Sequence, residues 1–340
     1  MVYRRLFEVA VFLVLILVLA WAAAALYLDG PLPALPLLLP LVLLAIVVAI
    51  LIWSRPRVLA ISLCFGLFGV VVAWWLTLKA SNDKPWLRDV AETPWAEVRG
   101  DQAVIHNVRN FDYITETDYK PKWETRTYDL SQIQSTDLYM NYWGSPAIAH
   151  TILSFEFANS PPIAFSIETR KQDGQSYSAI LGFFRQYSLI YVMADERDVV
   201  RVRTNYRKGE DLYLYRTRAT PAAARGIFLD YLKTANDLRD HPQWYNALTS
   251  NCTTDIRPHL MVGGDLHVPW DWRILINGYA DQMAYERGNL AADLPFDELK
   301  RRAHINEAAR AADQSPDFSR LIRVDRPGFN QTTEKSATAF

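Results

Sequence analysis

The first 79 residues constrain this chain more than any other feature. They are almost wholly apolar and hold three stretches long enough to span a bilayer: Leu6 to Leu28, about Leu32 to Trp53, and Val58 to Leu78. Each has about 20 residues, the length that roughly 30 Å of hydrocarbon requires of an α-helix. A cleaved signal peptide does not read this way, because three spans in a row exceed any single h-region and no small-residue cleavage site stands out. Pro36 and Pro40 interrupt the second stretch, where a kink is expected. Glu8 lies near the start of the first span, within reach of the interface.

Loop charges orient these spans. Arg4 and Arg5 precede the first, and the loop Asp29-Gly30-Pro31 has no Lys or Arg. The next loop, Ser54-Arg55-Pro56-Arg57, has two Arg. The positive-inside rule places the N-terminus and the second loop in the cytoplasm. Three spans then put everything after Leu78 on the far side, which in a bacterial inner membrane is the periplasm. Trp74 and Trp75 fall where an outer interfacial belt is expected. With two spans the same domain would be cytosolic.

The rest of the 340 residues has ordinary globular composition, and the net charge of −1 offers no basic surplus for nucleic acid. Residues 80–95 mix charges with Pro85 and Pro94 and read as a linker. Residues 96–327 read as one domain, and 328–340 as a polar, disordered tail. Short β-branched or aromatic runs bounded by Gly, Pro, Asn and Asp predict strands at Ala103–Val108, Thr125–Leu130, Asp137–Tyr142, His150–Phe157, Ile163–Thr169, Leu189–Val192 and Leu212–Arg216. Tyr177 to Tyr187 fits helix or strand. The period then changes. Thr220 as cap and Pro221 at the first position predict a helix to Leu238, and Phe296–Ala312 predicts another. Strands first and helices second imply an α+β domain.

Cys252 is the only cysteine from about residue 80 onward; Cys64 sits in the third span, too apolar in context to pair with it. The thiol follows Thr249, Ser250 and Asn251, all helix-capping types. A helix starting there would aim free N–H groups and a positive dipole end at a thiolate. His150 opens a strand about a hundred residues upstream, and Cys with His is the pairing of thiol hydrolases and acyltransferases. Equally, Cys252 can be a small buried hydrophobe. If the strands of His150 and Ile163 pair as a hairpin, Glu168 or Ser166 lies beside His150 and a carboxylate there would orient the ring; Glu168 can instead pair with Arg170. Tyr245, Asn246 and Asn251 precede the thiol, and either amide can serve an oxyanion or merely make turn and cap bonds. His106, His241, His259, His267 and His304 make no metal-ligand spacing, and no phosphate-binding glycine loop is present, so neither metal nor cofactor is expected. The charged run Ala194–Arg203 reads as a solvated, salt-bridged face or the lining of a polar groove.

Taken together, Trp143-Gly144-Ser145 leading to His150-Thr151-Ile152, Ser166-Ile167-Glu168-Thr169-Arg170, Ala194-Asp195-Glu196-Arg197-Asp198, and Tyr245-Asn246 to Asn251-Cys252-Thr253-Thr254 closely resemble the Lnb N-terminal periplasmic domain family. The resemblance covers about residues 95 to 325 and excludes the membrane segment. It implies a circularly permuted papain-like fold, related to NlpC-type peptidases and lecithin retinol acyltransferase, with His before Cys. The Lnb proteins are associated with intramolecular acyl transfer on bacterial lipoproteins. Carried over, this implies Cys252 as nucleophile and His150 as general base, with Glu168 as a third member by extension.

The resulting expectation is an inner-membrane-anchored periplasmic cysteine acyltransferase or hydrolase. Its partners would be inner-membrane lipid and an envelope lipoprotein or lipid substrate, and its chemistry would pass through a thioester. A cell-wall peptidase of NlpC-like type and a non-catalytic envelope scaffold are the alternatives. Nothing in the pattern sets an oligomeric state.

Overall fold

The computed structural model describes residues 2–264, 266 and 268–329. His267 and residues 330–340 of the expected tail lie outside them. The chain forms two compact units. The first takes in the N-terminal helices to Ser81 with Tyr177–Ser188 and Gln243–Asn246; the second holds the remainder.

In the first unit, helix α1 (Val2–Leu28), α2 (Leu38–Trp53) and α3 (Arg57–Leu76) pack around Leu15, Ala22, Leu43, Val47, Cys64 and Val71. Ala22 and Ala25 have no exposed surface, as expected where helices approach closely without bulky side chains. Trp75 Nε1 donates to Asp29 Oδ2 at 2.8 Å, so the C-terminal ends of α1 and α3 lie together. Two of the three helices, α1 and α3, have the length and apolarity to cross a membrane. The second expected span is shorter than its sequence suggested. Residues 31–37 form turns, and α2 begins only at Leu38, with Pro40 in its first turn, where a missing N–H costs no helical bond. Its 16 residues reach about 24 Å.

The second unit is built on strands β1 (Trp95–Arg99), β2 (Gln102–Arg109), β3 (Asp112–Tyr113), β4 (Tyr119–Lys120), β5 (Trp123–Asp129), β6 (Ile133–Trp143), β7 (Ala149–Phe157), β8 (Ile163–Arg170) and β9 (Ser188–Asp195). After the short helix α4 (Glu196–Val199) comes β10 (Glu210–Arg216). Helices α5 (Pro221–Asp240), α6 (Cys252–Val262), α7 (Ala280–Glu286), α8 (Phe296–Ala303), α9 (Asn306–Ala311) and α10 (Phe318–Leu321) follow. The main sheet runs β1-β2-β9-β8-β7-β6-β10, with β5 also on β2, and β3 pairs with β4. This is the expected α+β arrangement, with every predicted strand present.

Both faces of the sheet are covered, so β7 is buried almost throughout instead of alternating. On one face Phe155 and Phe165 meet Phe228 and Tyr231 of α5 edge to face. On the other, Tyr139, Ile152, Ala164 and Val192 pack with Ile305, Ala309 and Phe318. The helix expected over Phe296–Ala312 is two helices, because β10 has its outer edge free. Ile305 N–H donates to Leu212 O at 3.0 Å and Asn306 Nδ2 to Glu210 O at 2.7 Å, which breaks the helix at His304. Residues 82–95, expected as a linker, are folded in: Arg170 donates to Asn82 Oδ1, Val90 O and Ala91 O. Phe329, expected in the tail, packs under the Arg216 guanidinium, 4.5 Å from its Cζ.

The charged run after Ala194 is not a solvated face. Glu196 and Asp198 are fully buried and Arg201 and Arg203 nearly so. Arg323, from the turn after α10, donates to Asp137 at 2.7 Å and to Glu196 at 2.7 Å, and its Nε lies 2.6 Å from Glu156. Arg216 adds a second cation to Asp137 at 2.8 Å. Even so, burial pushes the Asp137 carboxyl up to about 7 against the pull of both guanidinium groups. Removing one partner of such a cluster strands the others. Arg323→Met is therefore expected to cost about 3–5 kcal/mol, read by denaturant unfolding of the full chain in detergent. A loss under about 1 kcal/mol, in the range of an exposed pair, would refute this account of the cluster.

Candidate active site

Cys252 occupies the first position of α6, and the residue before it explains why the helix starts there. Asn251 Oδ1 accepts from the N–H groups of Thr253 (2.9 Å) and Thr254 (3.1 Å), while Thr254 Oγ1 accepts from Asn251 N–H at 2.8 Å. This reciprocal capping box satisfies the first orphan donors of the helix. The other end of the Asn251 amide donates to Ala247 O at 2.8 Å, so Asn251 caps the helix and ties it to the preceding turn. The thiol sits 8% exposed at the positive end of an eleven-residue helix.

Strand β7 brings His150 to it. Residue pairing places Asn141 of β6 opposite His150 and Ser166 of β8 opposite Ile152. Continuing that register by two residues puts Glu168 level with His150. The imidazole and the thiol are close enough for each to shift the other's protonation. On its other side, His150 Nε2 lies 2.7 Å from Ser166 Oγ and 3.2 Å from Glu168 Oε1. Ser166 Oγ donates to the same carboxylate oxygen at 2.6 Å, as does Arg203 Nη2 at 2.6 Å. With its proton given to Glu168, the serine oxygen is left to accept Nε2–H. Arg203 is carried on a π-helical turn, Val202–Tyr206, and braced by Val199 O at 2.7 Å. Single π turns recur at functional sites. The pairing of Glu168 with Arg170 does not form; Arg170 serves Asn82 and residues 90–91 instead.

The electrostatics follow from this geometry. Burial alone would push the Cys252 thiol up, but the neighbouring His150 imidazole and its charge, the Thr151 N–H and the Thr253 hydroxyl outweigh it, and the thiol is lowered. Burial lowers His150, yet Glu168 and Cys252 push it up to about 9. Glu168 is held well below the usual carboxylate range: burial opposes this, and His150, Arg203 and Ser166 overcome it. The three groups titrate as one coupled set.

Asn277 was not singled out from the sequence. Its Nδ2 donates to Cys252 Sγ at 3.6 Å and to Thr253 Oγ1 at 3.1 Å. Its Oδ1 accepts Ala149 N–H at 2.9 Å, which fixes the amide with the nitrogen toward sulfur. The next residue must be glycine, because a Cβ on Gly278 would come within 2.1 Å of Pro146 O. The legible signal was the Asn277-Gly278 dipeptide, an ordinary turn marker that carries no hint of chemistry. Tyr245 and Asn246 belong to the first unit, where Tyr245 N–H donates to Tyr187 O at 2.9 Å. The side-chain amide that the second unit itself brings to the sulfur is that of Asn277.

An apolar cleft of about 660 Å3, counted out to its solvent mouth, is lined in part by Thr151 and Thr253, the residues next to His150 and Cys252 in the chain. Leu138, Leu153, Ile256, Leu260, Ile274, Met283 and Leu290 line it, with Thr151 and Thr253 at the site and Arg257 and Arg287 elsewhere on its wall. Thr253, which lines the cleft, has its Oγ1 3.8 Å from Cys252 Sγ. Among the described residues no cluster of His, Cys, Asp or Glu is arranged to hold a metal ion.

His259 is buried on α6. Its Nδ1 lies 2.6 Å from Asp230 and its Nε2 3.0 Å from Tyr191 Oη, and its ring stacks on Tyr231 at 4.0 Å. It ties α6 to α5 and β9.

Neither a curated protein nor a solved structure matches the chain. Residues 119–278 match the family model of the Lnb N-terminal periplasmic domain. The matched segment holds His150, Ser166, Glu168, Arg203, Cys252 and Asn277. Residues 119–278 are thus similar to the Lnb N-terminal periplasmic domain, and two apolar helices long enough to cross a membrane precede them.

Proposed function

We propose that the second unit is a periplasmic, cysteine-dependent acyltransferase or hydrolase acting on an ester or amide of the cell envelope, a lipoprotein or lipid acyl group. The observation that carries the reading is the meeting of Cys252, His150 and Glu168 in one unit, with the thiol lowered and the imidazole raised. His before Cys in the chain agrees with a permuted papain-like ancestry. The apolar cleft that shares Thr253 with the sulfur favours an acyl chain over a polar cell-wall peptide.

In this mechanism the Cys252 thiolate attacks the carbonyl carbon, and the C–O π electrons move onto oxygen. Asn277 Nδ2–H and the backbone N–H of Cys252 at the helix start receive the oxyanion. With Nε2 turned to Ser166 and Glu168, Nδ1 is the nitrogen left for the sulfur. The imidazolium proton passes to the leaving alcohol or amine as the tetrahedral species collapses to a thioester. His150 then takes a proton from the acceptor, water or an amine, as it attacks the thioester carbonyl. The thiolate leaves, and the ion pair is restored.

For the anchor, we read all three apolar helices as crossing an inner membrane, with Arg4, Arg5, Arg55 and Arg57 in the cytoplasm. What supports this is the bond that ties the ends of α1 and α3 together, which requires α2 to run back between them. The turns of 31–37 add the length that α2 lacks.

Thiol reactivity tests the ion pair. The thiolate persists above the lowered Cys252 value and the imidazolium below about 9, so the reactive window lies between them. Iodoacetamide is expected to alkylate Cys252 rapidly at pH 6.5, and His150→Ala to slow this strongly, since burial would then act on the thiol unopposed. Equal rates in the two proteins would sink the dyad.

Two substitutions apportion the roles, read as turnover of long-chain acyl p-nitrophenyl esters with the melting temperature taken on the same preparation. Glu168→Gln is expected to lose about 10- to 1000-fold with folding intact. Asn277→Ala is expected to lose roughly 100- to 1000-fold in kcat, as for a missing oxyanion donor. A stability collapse without a specific catalytic loss would make either residue structural. In cells, lipid and muropeptide profiles of a Cys252→Ala strain against wild type decide the substrate. A change in acylated species is expected, and a change confined to muropeptides would establish the peptidase instead.

A further inference from the structure

The connection between β8 and β9 does not stay in the second unit. Its middle, Tyr177–Ser188, belongs to the first, and it is tied to the helices by specific bonds. Gln186 Nε2 donates to Asp29 Oδ1 at 2.6 Å and to Leu28 O at 2.9 Å, and Arg185 N–H donates to Asp29 Oδ2 at 3.2 Å. The Arg185 guanidinium lies 3.9 Å from the Trp75 ring centre. These contacts fix one end of the segment at the C-terminal ends of α1 and α3. Phe184 reaches further, stacking on Trp21 at 6.2 Å between ring centres. Trp21 lies seven residues before Leu28, about 10 Å back along the helix.

The segment is also internally braced. Ser178 N–H donates to Tyr187 Oη at 3.0 Å, Gly182 N–H to Ser178 O at 3.0 Å, and Tyr177 stacks on Tyr187 at 6.2 Å. This ordered turn nonetheless leaves Ile180 71%, Tyr177 46% and Phe183 37% exposed. Water is a poor solvent for such a display, and an ordered scaffold that keeps it outward implies a solvent that welcomes it. The partner is identified by level. Trp21 and Trp75, whose rings meet at 5.2 Å, form the aromatic belt of the helices, and Arg185 caps it as interfacial arginines do.

We propose that Tyr177–Ser188 is a membrane-interface loop whose Tyr177, Ile180 and Phe183 enter the headgroup and upper acyl layer of the bilayer that the helices span. The proposal rests on the reading of α1–α3 as membrane-embedded. It adds a fourth, non-spanning lipid contact to them.

Collision-based electron paramagnetic resonance on the full-length chain tests it, in vesicles of phosphatidylethanolamine and phosphatidylglycerol. A nitroxide is placed by Ile180→Cys in a Cys64→Ala, Cys252→Ala background, with Leu17→Cys on α1 and Lys208→Cys as references. The expected result is an oxygen-to-nickel-chelate collision ratio at position 180 several-fold above that at 208 and approaching that at 17. A ratio at 180 equal to that at 208 places the loop in water and overturns the proposal. Low collision with both reagents and an immobilised spectrum mean a protein partner covers it, which also overturns it. A water-like ratio at Leu17 itself would remove the membrane reading, and the loop proposal falls with it. In the otherwise native chain, benzoylphenylalanine at position 180 should photocrosslink to phospholipid. Crosslinks to protein alone would count against the loop even where the cysteine variants fold poorly.

Discussion

The pairing register of β7 against β8 is the constraint on which the site depends. It sets Ser166 opposite Ile152 and so brings Glu168 level with His150. A slip of one residue would bring Ile167 or Thr169 to that level and turn the carboxylate away. What prevents the slip is not the site but the core. Ile152 and Ala164 face one hydrophobic layer, and Phe155 and Phe165 the other. A one-residue slip exchanges both sets at once. The strands are buried on both faces, and that burial converts apolar packing into angstrom-level placement of the Glu168 carboxylate.

The Cys252 thiol is placed by a different logic, that of helix ends and small polar residues. The Asn251 cap fixes where α6 begins, so Cys252 falls on the first helical position. Thr253 then reaches Thr151 of β7 at 3.3 Å and Asn277 at 3.1 Å, which joins helix start, strand start and the 277–278 turn around one hydroxyl. Gly278 lets that turn lie against residues 146–148 with no side chain between. Because several weak bonds converge on Thr253, the sulfur is held from three directions without any of them being strong alone.

Much of this was legible in the sequence, and the reasons differ by residue. The strands announced themselves because β-branched and aromatic runs were separated by turn residues. Cys252 and His150 stood out because one is a lone thiol behind capping residues and the other opens a strand. Glu168 followed from alternation once a hairpin was assumed. Asn277 and Arg203 were not legible, since their roles arise from contacts 25 and 35 residues away along the chain, which no periodicity records. The charged run near Arg201 misled because local composition cannot distinguish solvated charges from buried ones whose partners, such as Asp313 and Arg323, come from the far end of the chain. Residues 31–37 misled the other way: apolar composition suggested a span, while prolines delayed the helix to Leu38.

In the ionised state that the proposed mechanism uses, the site is a line of four charges of alternating sign: Cys252 negative, His150 positive, Glu168 negative and Arg203 positive. Neighbours along it attract and the sum is zero. That neutrality is what allows a thiolate in a place where burial alone would return the proton to sulfur. Glu168 is the joint of the line, because a single oxygen, Oε1, faces Nε2, the Ser166 hydroxyl and Arg203. Without Arg203 the carboxylate would carry more of its own desolvation and lean harder on the imidazole. Without Glu168 the imidazolium would lose its counterion and the proton would move back toward sulfur. The protonation of the thiol thus depends on a guanidinium that makes no bond to it and that a π-helical turn elsewhere in the chain carries. In a buried site, reactivity at one atom is a property of the whole neutral set.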